Sequence, residues 1–284
     1  MNLKTIMQKI KFRLLLISKS IFQPLIYTRS GKKIIIFIIA CQRSGTSIMM
    51  KVFKKDFRSK VYEDEFSAVT SEDERDHIRF NNFESLDRIF FNAHAKIIIT
   101  KPLVELQNIL TYFKHFNGSK AIWMYRYYKD VAYSNITHFG RDNGIKNLLP
   151  IIKNEQSNWR SENLPSDIRK IVLENFDEKM NPYDAAALFW YVRNSLFFKL
   201  GLDKRTNIVI CKYEDFVHYP RENMRRIYDF MDLKYPGDKI VDEVHVRALG
   251  KGRDLQLSEP ISYLCESLYQ KMERFYNQSI GKLR

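Results

Sequence analysis

The stretch IIIFIIACQRSGTSIMMKVF, residues 34 to 53, joins an apolar run, a short polar turn and a second apolar segment with helical spacing. The β-branched run 34–39 has the composition of a strand that is buried on both faces, as in a parallel sheet. A helix predicted over 46–55 follows the turn at once. A strand, a glycine-containing turn and a helix N-terminus direct backbone N–H groups and the helix dipole toward an anion. The stretch therefore predicts either a phosphate or sulfate cradle or an ordinary strand-to-helix connection.

The same stretch has a rival interpretation, the secretion signal of a bacterial lipoprotein. Lys32 and Lys33 precede the apolar run, and Cys41 stands where the lipid-modified cysteine would be. The run is short for such a signal, and cleavage before Cys41 would discard an unusually long leader. We therefore expect a buried strand, with Cys41 a buried residue at its end.

Composition limits the classes of protein to which this chain can belong. The 284 residues carry a formal charge of +14, from 47 basic and 33 acidic side chains, which favours an anionic partner. The three cysteines stand far apart without a CxxC pair, so that a disulfide framework and a structural zinc site are both disfavoured. We expect a reducing compartment, the cytoplasm.

The N-terminal segment holds much of the charge. Residues 1–33 contain eight basic side chains and no acid. The spacing of one helical face is followed by Leu3, Met7, Ile10, Leu14, Ile17 and Ile21. This predicts a basic amphipathic helix that ends near Pro24 and either packs on the domain, which we favour, or lies peripherally on an anionic membrane. Lysines interrupt every apolar run, which argues against a membrane span. We divide the chain into this segment, 1–30, and one domain, 31–284.

Strands and helices alternate along the rest of the chain. Further strands are predicted over 95–103, 120–126 and 207–216, and further helices over 103–116, 128–139, 183–202 and 220–233. The acidic segment 61–76 is expected to be a loop followed by a helix start. Loops and short helices over 140–182 are expected to form a lid or acceptor wall, and 234–284 a C-terminal subregion. The order predicts an α/β fold of three layers, with a mostly parallel central sheet between helices and ligands at the carboxyl ends of the strands.

The turn after the first strand has the chemistry of an anion site. Thr46 and Ser47 supply hydroxyl donors, and Arg43 supplies a cation suited to phosphate or sulfate oxygens. A nucleotide kinase is disfavoured, because the Walker A pattern needs a lysine where Thr46 stands and a glycine where Ala40 stands.

A second candidate turn follows the strand 120–126. Arg126 at the strand end and Ser134 in the next helix are eight residues apart, close enough to converge on one anion. Taken alone, they are better explained by a surface arginine and a solvent-facing serine.

Taken together, QRSGTS and YRYYKDVAYS resemble the two cofactor-binding motifs of the sulfotransferases that use 3′-phosphoadenosine 5′-phosphosulfate (PAPS). The family pattern RxxxDxxxS is matched by Arg126, Asp130 and Ser134. KYEDFVHYPRENMRRIYDFMDL and LFWYVRN are also similar to family segments, so that the resemblance covers roughly residues 34 to 275. It is closer to bacterial and carbohydrate-type members than to the animal cytosolic detoxifying enzymes, and it implies the P-loop-like sulfotransferase fold.

The resemblance implies roles for individual residues. The 5′-phosphosulfate would be bound by Arg43, Ser44, Gly45, Thr46 and Ser47, and the 3′-phosphate by Arg126 and Ser134. The late basic loop of the family is matched, at different spacing, by Lys251, Gly252 and Arg253. Tyr213 would approach the adenine, although a core tyrosine is an equal interpretation. Glu214 and Asp215 are expected to orient the turn that follows.

Catalysis of sulfuryl transfer depends on placement and on cations beside the moving oxygens. We expect Arg43 and Lys101 to supply these cations, and no metal to be needed. The family histidine after the second strand is replaced by the sequence Thr100-Lys101-Pro102-Leu103. The resemblance then implies the family's other solution, a glutamate in the segment after the first helix: Glu65 is expected to be the general base, with Glu63 in reserve and His94 a weaker candidate.

Two other classes remain as alternatives: a basic membrane-surface or nucleic-acid-binding protein, and a nucleotide kinase. We expect no nucleic-acid partner, because the charge is concentrated at the N-terminus instead of being spread over the body. The expected acceptor is a glycan or a small molecule, with Trp159, Trp190 and Tyr191 as candidate contacts.

Overall fold

The computed structural model describes residues 3–63, 68–72 and 78–281. Its centre is a five-stranded parallel sheet in the order β2-β5-β1-β6-β7. These strands are β1 (Ile34–Ala40), β2 (Ser59–Tyr62), β5 (Ile97–Thr100), β6 (Lys120–Tyr125) and β7 (Ile208–Lys212), while β3 (Thr70–Glu72) and β4 (Ile78–Phe80) form a separate antiparallel pair. The predicted α/β class with a parallel central sheet is confirmed.

Helices cover both faces of the sheet. They are α1 (Leu3–Ile26), α2 (Thr46–Lys55), α3 (Phe83–Asn92), α4 (Ile109–His115), α5 (Tyr128–Phe139), α6 (Asn143–Ile152), α7 (Ser166–Asn175), α8 (Pro182–Lys199), α9 (Tyr213–His218), α10 (Pro220–Phe230) and α11 (Glu259–Gly281). Shorter 3₁₀ turns span Leu103–Asn108, Leu202–Lys204 and Asp238–Val241.

The first strand shows why its sequence is almost wholly apolar. Ile36 and Ile38 belong to the core under α2, α9 and α10, whereas Phe37 and Ile39 belong to the core under α4, α5 and α8. All four side chains are fully buried, as expected of a central strand in a parallel sheet. Cys41, directly after the strand, is buried too, as predicted.

Three predicted elements differ from the structure. The helix expected over 103–116 begins as a 3₁₀ turn, because Glu105 has non-helical backbone angles. The strand expected over 207–216 ends at Lys212, and α9 takes the remainder. No helix starts in the described part of 61–76; α3 begins at Phe83, where the Asn82 side chain accepts a hydrogen bond from the Ser85 backbone N–H at 2.9 Å.

The N-terminal helix is confirmed and lies against the domain, but not through its apolar stripe. Among the α1 side chains that the structure describes, Lys19 and Gln23 are buried, while Met7, Leu14 and Ile17 are half exposed. In the described parts of the chain, no helix is both long and apolar enough to cross a membrane. The division into residues 1–30 and a single domain stays a prediction.

Candidate active site

The loop after β1 is curled by two left-handed residues, Arg43 (φ 67°) and Gly45 (φ 95°), before α2 begins at Thr46. Ser44 and Thr46 are buried, and the Ser44 hydroxyl has no hydrogen-bond partner among the described residues. An orphaned hydroxyl at the start of a ten-residue helix is suited to an oxyanion ligand.

Gly45 is required by its surroundings. A Cβ atom built at this position would lie 2.2 Å from the Tyr213 ring, which packs directly under the loop. Tyr213 is itself buried, and its ring lies 4.6 Å from the Arg126 guanidinium. Tyr213 therefore packs against both of the turns that the sequence singles out, and its approach to an adenine stays a prediction.

The two turns singled out in the sequence meet in space. The Arg43 Nε donates to the Ser134 hydroxyl at 3.1 Å, and the Arg126 Nη1 donates to the Arg43 carbonyl at 3.3 Å. Arg126 is buried at the end of β6, and its Nε has no partner in the described part of the chain. Because β1 and β6 are parallel neighbours, the turns that follow them lie at one edge of the sheet.

A cavity of about 170 Å³ opens between these turns. It is lined by Arg43, Arg126, Tyr133, Ser134, Thr137, His138, Ala248 and Lys251. Three of these residues are cations, and the described lining contains no carboxylate. Burial and the nearby Arg126 charge lower the pKa of the Arg43 guanidinium, a sign that the positive charge is incompletely balanced. The cavity therefore favours an anion.

Asp130 connects this cavity to the late basic loop. Its carboxylate accepts hydrogen bonds from the backbone N–H groups of Gly250 at 2.9 Å and Gly252 at 2.8 Å, and from Arg126 at 3.3 Å. Gly252 lies so close to α5 that a Cβ there would be 2.1 Å from the Lys129 carbonyl oxygen. The loop that carries Lys251 and the exposed Arg253 is thereby held over the start of α5.

Two further side chains fix the backbone after β6. The Trp190 indole N–H donates to the Arg126 carbonyl at 3.0 Å, and Glu214 accepts from the Tyr127 backbone N–H at 2.9 Å. Burial raises the pKa of Glu214. Glu214 thus orients a turn, although it is the turn after β6 and not the one after its own strand.

The expectation that Trp159 and Trp190 contact the acceptor is wrong, because both are buried, at 4% and 0% exposure. The guanidinium groups of Arg160 and Arg193 lie 4.3 and 5.1 Å from the Trp159 ring. Tyr191 is partly exposed and lies instead at a cavity beside α11.

The structure shows the surroundings of two of the three candidates for the general base, Glu63 and His94. Glu65 lies outside the described residues. Glu63 follows β2 and forms a salt bridge with Lys54 at 2.8 Å. His94 lies before β5, at the opposite edge of the sheet from the anion cavity, with its ring nitrogens beside the Tyr27 carbonyl and Arg29. His94 is therefore unsuited to act as the base.

Lys101 directly follows β5, next to β1 in the sheet, so that it begins at the same edge as the loop 41–45. Asp130 and His138 were given no role from the sequence. The sequence could have indicated His138, because it stands four residues after Ser134 and so on the same side of α5. Within the described ranges, no group of His, Cys, Asp or Glu side chains is placed to hold a metal ion.

Fold and site together define a parallel α/β protein with a cationic cavity, suited to a phosphate- or sulfate-bearing ligand, at the carboxyl edge of its sheet. The sequence model of the sulfotransferase domain matches residues 33–282, and the chain therefore belongs to the sulfotransferase family. It is an enzyme of the PAPS-dependent class. None of the curated proteins compared with the sequence is significantly similar to it.

Solved structures similar to this one include other sulfotransferases. The sulfotransferase domain of the Synechococcus PCC 7002 olefin synthase is 16% identical, with 86% of this chain and 98% of that chain covered and a TM-score of 0.46. The Alicyclobacillus acidocaldarius sulfotransferase is 13% identical, with coverages of 89% and 95% and a TM-score of 0.48. A mouse sulfotransferase complexed with PAP is 14% identical, with coverages of 93% and 88% and a TM-score of 0.42.

Replacing Gly45 with alanine should damage the site through both backbone strain and collision with Tyr213. We expect the free energy of unfolding to fall by about 2 kcal/mol or more, and the affinity for adenosine 3′,5′-bisphosphate to fall at least about tenfold. Urea unfolding and calorimetric titration measure the two effects. Gly118→Ala is the matched control, because Gly118 also has a positive φ but no atom within 4 Å of a built Cβ. Equal effects of the two substitutions would contradict this account.

Replacing Asp130 with asparagine should release the basic loop. The amide nitrogen would face the backbone N–H of Gly250 or Gly252 and leave that donor unsatisfied. We expect faster trypsin cleavage after Lys251 and Arg253, and about tenfold weaker binding of adenosine 3′,5′-bisphosphate. Limited proteolysis followed by mass spectrometry locates the cleavage. Asp142→Asn, on an exposed residue before α6, should leave both unchanged; unaltered cleavage in the Asp130 variant would show that the carboxylate does not hold the loop.

Proposed function

We propose that this chain transfers the sulfuryl group of PAPS to a hydroxyl or amine of a glycan or small-molecule acceptor. The observation that carries the proposal is the contact of Arg43 with Ser134 beside Arg126, at a cavity whose described lining has three cations and no carboxylate. Two separate sequence motifs thus form one anion-binding surface, which a ligand with phosphate groups at both ends would bridge.

The described residues fit such a donor. The loop from Arg43 to Ser47 would hold the 5′-phosphosulfate, with the unpaired Ser44 hydroxyl as a donor. Arg126 and Ser134 would hold the 3′-phosphate, and the unpaired Arg126 Nε supplies a further donor there. The loop at Lys251, Gly252 and Arg253, tied down by Asp130, would cover the donor.

PAPS supplies the activated sulfuryl group; the chain supplies placement and charge. Arg43 would stabilise negative charge on the transferred group and the departing phosphate, and its contact with Ser134 holds the guanidinium in place. Lys101 starts at the same edge and would add a second cation to the site. Glu65 accepts the proton of the acceptor hydroxyl or amine.

The acceptor would enter beside the segment that follows β5. Arg79 of β4 donates to Glu105 at 2.7 Å and to Glu162 at 2.7 Å, and Glu162 also accepts from Asn108 at 3.2 Å. These contacts join the β3–β4 pair, the post-β5 turn and the loop 153–165 into one polar wall. The wall supports the assignment of 140–182 to the acceptor side. Three free and buried thiols support a reducing compartment, the cytoplasm.

Donor recognition is tested by calorimetric titration with adenosine 3′,5′-bisphosphate. We expect micromolar binding to the intact chain, abolished in Arg126→Ala and weakened at least about tenfold in Ser134→Ala. Ser134 is only half buried, so that its variant should fold normally. Arg88→Ala removes an exposed cation from α3 and should bind like the parent. Absence of binding to the intact chain would sink the proposed function.

The proposed base is tested by turnover with radiolabelled PAPS and a panel of glycans and small alcohols and amines. Glu65→Gln should lower kcat by about 100-fold or more while leaving the affinity for adenosine 3′,5′-bisphosphate unchanged. Glu63→Gln, two residues away and engaged with Lys54, is the control and should retain its activity. The reverse pattern would move the role to Glu63. Retention of activity in both would place the base elsewhere.

A further inference from the structure

The helix α1 is held on the domain by polar side chains. Lys19 Nζ donates to the carbonyl oxygens of Lys54 at 2.9 Å and Asp56 at 2.7 Å. The Gln23 amide donates to those of Phe57 at 2.7 Å and Ser59 at 3.0 Å. Both side chains are almost fully buried. These four bonds fix which side of α1 faces the domain.

The opposite side of α1 is an exposed apolar stripe. Its members recur every three or four residues and are Met7, Ile10, Leu14, Ile17, Ile21 and Leu25, each between 48% and 77% exposed. At the rise of an α-helix the stripe is roughly 27 Å long. Soluble monomers seldom leave a continuous apolar surface of this size unpartnered.

Basic residues of the same segment border the stripe, and residues 1–33 contain no acid. Helical spacing places Lys11 and Arg13 on its two flanks, where both are exposed. Arg29 and Lys32, also exposed, follow the helix. Basic stems beside an apolar face can extend their charges toward lipid head groups while the face enters the interface.

We propose that this outer face of α1 docks on the surface of an anionic lipid bilayer, with α1 lying in the interface. Charge complementarity selects this occupant: residues 1–33 carry eight cations and no acid, so that a second copy of the same face would be repelled. The helix does not qualify as a membrane span.

Docking in this orientation leaves the anion cavity open. Lys19 holds α1 to the C-terminal end of α2, whereas the phosphate loop precedes the N-terminal end of the same helix. The attachment of α1 and the phosphate loop therefore lie at opposite ends of α2. The enzyme would work in water beside the bilayer, which goes beyond the proposed function and does not depend on it.

Sedimentation of the full chain with lipid vesicles tests the proposal. We expect binding to vesicles of phosphatidylcholine mixed with phosphatidylglycerol, weakened by salt, and little binding to phosphatidylcholine alone. The double variant Leu14→Ser/Ile17→Ser should lower partitioning at least about tenfold, as should Lys11→Gln/Arg13→Gln. Leu173→Ser, on an apolar residue of α7 that is also about half exposed, is the control and should bind like the parent.

A fluorescent reporter tests the orientation. The three native tryptophans are almost fully buried, so that Ile17→Trp adds a new exposed signal. Its emission should shift to the blue on addition of the anionic vesicles, whereas that of Leu173→Trp should not. Absence of vesicle binding, an equal loss in Leu173→Ser, or a concentration-dependent shift of Ile17→Trp without vesicles would each overturn the proposal. Titration of the same variants with adenosine 3′,5′-bisphosphate reports separately on the proposed function.

Discussion

Two guanidinium groups, those of Arg43 and Arg126, meet at the carboxyl edge of the sheet, and the surrounding structure compensates for the cost of bringing like charges together. Asp130 pairs with Arg126, the carbonyls of Arg43 and Ala248 accept its N–H groups, and Ser134 accepts from Arg43. The compensation is incomplete, since Asp130 also serves two backbone donors of the basic loop. A bound phosphate would supply the missing negative charge.

The proximity of Arg43 and Arg126 depends on the order of the strands in the sheet. β1 and β6 are parallel neighbours although about eighty residues separate them, and their following turns lie side by side only for this reason. β7, on the other side of β6, contributes Tyr213 and Glu214 from the start of α9, which support the loop at Gly45 and the backbone at Tyr127. Three strand ends therefore build one site, together with the late basic loop that adds Ala248 and Lys251 to the cavity lining.

The sequence predicts those parts of the fold and site whose causes are local. The helices over 46–55 and 128–139 match the structure because apolar spacing and the adjoining turns both mark their ends. β2, with the sequence SKVY, has no such signal, and its strand geometry comes from pairing with β5. The sequence places Asp130 in a motif but does not predict what its carboxylate does. Its partners are backbone N–H groups about 120 residues away in the chain, and the sequence does not indicate which backbone donors a carboxylate will meet.

The packing of the N-terminal helix is a second feature that the sequence does not predict, because its cause is not local. Periodicity identifies an apolar side, but it does not reveal that the domain offers α1 a row of carbonyl oxygens. The last carbonyls of α2 lack partners within the helix and carry its negative dipole end, so that an ammonium group is well suited to them. Lys19 meets that need at one end of α2, as an anion would at the N–H groups of the other end. The two ends of α2 therefore serve different purposes. Its C-terminal end accepts the Lys19 ammonium group of α1, and the proposed donor site lies at its N-terminal end.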